Sequence, residues 1–108
     1  MLGGLLKDAE AFRRGEAAKA LGNLGPEAFD QFQPLKKLMD DKDTAVAGWA
    51  IWSVGAIGQA AQPAVAQLQV IAADTTKPAV LRQAAKDAID HITDKDKKKE
   101  PKKKGASE

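Results

Sequence analysis

At 108 residues, with 44% apolar and 30% charged side chains, the chain is long enough for one small domain. It has no cysteine, which excludes disulfides, thiolate metal sites and cysteine nucleophiles, and it has no apolar run approaching a membrane span. The net charge of +2 is uneven: residues 1–93 hold ten Lys and Arg against eleven acids, whereas residues 94–108 hold seven Lys against four.

The leading segment MLGGLLKDAEAF has no basic n-region and only a short apolar run, so the sequence reads as that of a soluble cytoplasmic protein rather than a secreted one. Residues 2–8 look like the last turns of a helix whose beginning is missing. A first full helix is predicted from about Glu10 to Leu24, with Phe12, Ala17, Leu21 and Leu24 inward and Arg13, Arg14, Glu16 and Lys19 mostly outward. Gly25-Pro26 breaks it. A second helix starts near Pro26 and turns Phe29, Phe32, Leu35, Leu38 and Met39 inward. Pro34 either kinks it or divides a short first turn from a helix at 34–40.

The turn Asp40–Asp43 leads into the central stretch TAVAGWAIWSVGAIG, Thr44 to Gly58. Val46, Trp49, Ala50, Ser53, Val54 and Ile57 recur there at spacings of three and four, the stripe of an amphipathic helix. Asp43 suits the N-cap and Gly58 the C-terminal stop. A fourth helix is predicted from about Ala61 to Ala73, with Pro63 in its first turn and Val65, Leu68 and Ile71 inward. A fifth begins at Pro78 and runs to about Thr93, its stripe formed by Val80, Leu81, Ala84, Ala85, Ala88, Ile89 and Ile92. Residues 94–108, DKDKKKEPKKKGASE, hold almost nothing apolar, so a disordered lysine-rich tail is expected after a folded region at 1–93.

The central stretch repeats. SVGAIG at 53–58 matches ALGNLG at 20–25, a displacement of 33. Val46, Ala50, Val54 and Ile57 match Leu81, Ala85, Ile89 and Ile92, a displacement of 35. Such a period signals stacked helical units. The segments FRRGEAAKALGNLG (12–25), VAGWAIWSVGAIG (46–58) and LRQAAKDAIDHI (81–92), with the turn Asp40–Asp43 and the leading LLKD (5–8), resemble the short bacterial HEAT-like repeat, of the kind found in phycobilisome lyase subunits. In that family the second helix reads Val-Arg-Arg-Ala-Ala-Ala-x-Ala-Leu-Gly-x-Ile-Gly. Two departures stand out: Ala47 and Gly48 replace the arginines in the central copy, and the last copy lacks the Gly-x-x-Gly pair. The resemblance implies an all-α fold, an α-solenoid of antiparallel helix pairs with about two and a half repeats. It implies a protein-interaction or scaffold role and no cofactor.

Trp52 takes the place where the motif has a polar residue, aligned with Lys19 and Asp87. The resemblance sets such positions on the binding face of the array. Trp52, Gly48, Lys19, Arg14 and Asp87 are therefore the candidate binding residues, with packing of Trp52 on an adjacent helix or a Lys side chain as the alternative. Trp49 falls beside the stripe and is assigned to the core. Neither end shows an obvious polar cap, so Leu2, Leu5, Leu6 and Phe12 form a candidate packing end for a partner or a second copy.

Motifs for catalysis are missing. His91 stands among Asp87, Asp90 and Asp94, a pattern that fits a solvated helix face better than a metal or acid–base site. Asp41 does not open a calcium loop, because Val46 and Trp52 stand where glycine and glutamate are required. A nucleic-acid or other polyanion binder, using the tail with Arg13, Arg14 and Lys19, remains an alternative. An accessory subunit of a lyase-type complex is a second, implied by the resemblance alone.

Overall fold

The computed structural model describes residues 10–93. Leu2, Leu5, Leu6 and the tail 94–108 lie outside the described residues. The fold is all-α, an α-solenoid of antiparallel helix pairs. The α-helices are α1 (Ala11–Leu24), α2 (Phe32–Leu38), α3 (Thr44–Ile57), α4 (Val65–Ala73) and α5 (Ala79–Thr93). Tight 3₁₀ segments, Gly25–Gln31 and Gly58–Ala64, precede α2 and α4. Helices α1, α3 and α5 lie side by side in one layer with α3 between the others, and α2 and α4 cover them. No helix among the described residues is long and apolar enough to cross a membrane.

Local chemistry accounts for the ends of α3. The Asp43 carboxylate accepts the backbone N–H groups of Ala45 (3.0 Å) and Val46 (3.2 Å), which have no partner inside the helix. Gly58 at φ +84° and Gly25 at φ +63° stop α3 and α1 in a conformation that a side chain resists. Two expected boundaries move. The second and fourth helices each open with a 3₁₀ segment where an α-helix was expected. Pro34 does not start α2: it stands at the third helical position, within the first turn, where a proline is tolerated. Leu81, buried, is the counterpart of Val46, and Val80 is exposed.

The core joins Leu35, Leu38 and Met39 to Val46, Ala50, Ile51, Val54 and Ile57 of α3, to Leu68 and Ile71 of α4, and to Leu81, Ala85 and Ile92 of α5. Besides Val80, three residues expected inward are not: Phe12 is 74% exposed, and Leu24 and Phe29 are 47% exposed. Phe12 and Leu24 sit at the margins of the α1 stripe, and Phe29 stacks on the buried Phe32 instead (centroids 5.6 Å apart). Close approach between the long helices uses small residues. A Cβ on Gly55 would lie 2.9 Å from Cα and Cβ of Ala88. The buried Ser53 hydroxyl donates to the Ala18 carbonyl, tying α3 to α1.

Arg14 corrects a second expectation. It does not face outward: its Nε donates to Asp41 Oδ2 at 2.8 Å and its Nη2 to Oδ1 at 3.1 Å, with both side chains largely buried. This bidentate pair fastens α1 to the turn before α3. Asp41 Oδ1 also accepts the Asp43 N–H at 2.8 Å, so the pair holds the capping residue in place. Burial alone pushes the Asp41 carboxyl up, but the Arg14 and Asp43 hydrogen bonds and the nearby positive charge outweigh it and hold the pKa below its ordinary value. Asp41→Ala is expected to destabilise the fold by about 2–3 kcal/mol, because it strands a half-buried guanidinium and a backbone N–H. Because the folded pKa is depressed, the pair's contribution is complete above the unfolded carboxylate range. It is lost as pH falls below about 4 towards the folded value. Urea melts of wild type and variant at pH 7 and pH 3 check this: the gap between them narrows at the lower pH.

Candidate functional surface

The repeat sets three helices in register, and with them three rows of exposed positions. Phe12, Glu16 and Lys19 of α1 align with Ala45, Trp49 and Trp52 of α3, and these with Val80, Ala84 and Asp87 of α5. Together they form the outer face of the long-helix layer, opposite α2 and α4. Its centre is aromatic. Trp49 and Trp52 meet edge to face, with centroids 5.5 Å apart and planes at 81°. Lys19 Nζ sits 5.1 Å from the Trp49 ring centroid.

Trp52 is 43% exposed. Part of its ring covers Gly22 of α1, where an added Cβ would collide with it and would come within 2.6 Å of Ser53 Oγ. Trp52 therefore packs on the adjacent helix and also presents surface to solvent. A groove runs along each side of the tryptophan pair. One, about 280 Å³, lies between α1 and α3 and is lined by Phe12, Gly15, Glu16, Asp43, Val46 and Trp49 among others. The other, about 300 Å³, lies between α3 and α5 and is lined by Trp52, Ala84, Asp87, Ala88 and His91. Both are small beside typical cofactor sites.

The fold gathers Lys19, Trp52 and Asp87 on this one face. Gly48 lies half-buried at its α5 side, where an added Cβ would meet Leu81 Cδ2 at 3.6 Å. Arg14 does not join them, since its guanidinium is committed to Asp41. Phe12, assigned to a packing end with Leu2, Leu5 and Leu6, which lie outside the described residues, walls the first groove. Two participants escaped the sequence reading. Trp49, assigned to the core, is half-buried and holds Lys19. His91 faces the groove of Trp52. The same displacements of 33 and 35 pointed to both, since they align Trp49 with Glu16, and His91 with Ala56.

The far side of α5 differs from its counterparts. Gly15, Ala18 and Gly22 on α1, and Gly48, Ile51 and Gly55 on α3, occupy the positions that receive the next helix. On α5 the same positions are Gln83, Lys86 and Asp90. This side of α5 is polar.

No curated protein matches the chain. The family model for HEAT repeats matches residues 2–90. With its paired helices, its 33–35-residue register and this match over most of its length, the chain belongs to the HEAT-repeat family.

Proposed function

We propose that the protein is a non-catalytic interaction module of the cytoplasm that binds a protein partner on the outer face of its long-helix layer. The observation that carries this reading is Trp52: a large aromatic side chain, 43% exposed, central on a face with a groove on either side. Partly exposed tryptophans in such settings are the residues on which binding energy concentrates. An accessory role in a lyase-type complex rests on the sequence resemblance alone and calls for a pigment-bearing partner.

The polyanion alternative is less well supported. Of its three body cations, Arg14 is paired with Asp41, Arg13 lies 3.8 Å from Glu10, and Lys19 lies on Trp49.

The test compares wild type, Trp52→Ala and Val70→Ala, the last an exposed residue of α4 on the opposite layer. Trp52→Ala is expected to weaken capture of cellular partners by at least tenfold, the loss typical of a binding hot spot at about 2 kcal/mol. Val70→Ala is expected to retain it. Equal capture by all three removes this face from consideration.

A further inference from the structure

The two tryptophans differ in what accompanies them. Trp49 has a cation of its own chain, Lys19, over its ring. Trp52 opens instead on a groove whose walls carry a carboxylate, Asp87, and whose floor carries small apolar residues, Ala84 and Ala88. Gln83 Nε2 donates to Asp87 Oδ1 at 3.1 Å, which orients the carboxylate from within α5. The groove's volume of about 300 Å³ suits one long side chain rather than a cofactor.

We propose that this groove takes a cationic side chain from an extended basic segment of the partner protein. This rests on the reading of the face as a binding surface and names what it binds. The aliphatic stem lies along Ala84 and Ala88. The charged head meets the face of Trp52 and the carboxylate of Asp87. An aromatic face and a carboxylate each favour a cation, and together they outdo either alone. Lys19 on Trp49 is the same arrangement made inside the chain. The first groove follows the same pattern, with Glu16 and Asp43 beside Trp49 and Phe12. A segment laid across α1, α3 and α5 therefore meets acids on both sides of the tryptophan pair, passes Lys19 where it lies over Trp49, and finds the uncovered aromatic surface at Trp52.

The experiment titrates the full chain with a synthetic glycine–lysine peptide and, in parallel, a glycine–glutamate peptide of equal length. It follows the indole N–H resonances of both tryptophans and the amides of Asp87 and His91. The expected result is a saturable shift at Trp52, Asp87 and His91 with the lysine peptide, and none with the glutamate peptide. Asp87→Asn is expected to weaken binding about fivefold, and salt to weaken it further. Shifts that avoid Trp52, or an Asp87→Asn protein that binds equally well, overturn the proposal. A third outcome also overturns it. If replacing Lys97–Lys99 and Lys102–Lys104 by glutamine makes the chain bind the lysine peptide at least tenfold more tightly, the occupant is the chain's own segment. If the lysine peptide fails while Trp52→Ala still abolishes partner capture, the binding face stands and only the basic occupant is lost.

Discussion

Gly55→Val is expected to destabilise the protein by about 3 kcal/mol, with the loss centred on the junction of α3 and α5. A Cβ at this position falls 2.9 Å from both Cα and Cβ of Ala88. The obstacle includes backbone, which cannot rotate aside, so the two helices must separate. Separation loosens the packing around Leu81, Ala85 and Ala88. Gly55→Ala should cost less, because the gain of about 0.8–1 kcal/mol in helix propensity offsets part of the clash. Gly22→Ala makes the instructive contrast. There the obstacle includes the ring of Trp52, which borders solvent and can swing outward. Gly22→Ala should therefore shift tryptophan emission to longer wavelength more than it shifts the urea midpoint, and Gly55→Val the reverse. Melts followed by circular dichroism, with fluorescence in parallel, separate the two.

Ile51→Ala is expected to cost about 3–4 kcal/mol, the effect of emptying a fully buried aliphatic site with little room to collapse. Ile51 lies mid-helix in α3, which among the described residues is the one long helix flanked on both sides. A domain of this size has about 5–10 kcal/mol in all, so one substitution removes a large share. The urea midpoint should fall markedly with little change in slope. A small effect there would mean that the units of the array unfold independently.

Much of the fold was legible because the repeat was. Three copies of one pattern, offset by 33 and 35 residues, placed the long helices, and Asp43 and Gly58 marked the ends of α3 to the residue. The short helices were harder to read. Gly25-Pro26 and Pro63 announce a break but not its kind, and a 3₁₀ segment has no apolar period of its own. Phe12, Leu24 and Phe29 misled because a large apolar residue at the edge of a stripe reads as core, and only the packed helices decide. The Arg14–Asp41 pair was hidden for another reason. Its partners are 27 residues apart, in different units, and Ala47 replaces the arginine in the central copy, so among the described residues the pairing does not recur there and leaves no period. Within the candidate surface, Trp52, Lys19 and Asp87 followed from register alone. Register also aligned Trp49 with Glu16, but not how much of its ring stays exposed, which depends on how far it leans over α1.

The polar side of α5 bears on symmetry. Head-to-tail stacking joins unlike ends, and a contact of that kind repeats without limit and grows into a fibre. Gln83, Lys86 and Asp90 stand where such a contact would need small or apolar residues, and burying them unpaired would be costly. Docking of a further helix against this side of α5 in that manner is thus disfavoured. Association between copies through like surfaces, which meet about a two-fold axis and close at two, meets no such obstacle.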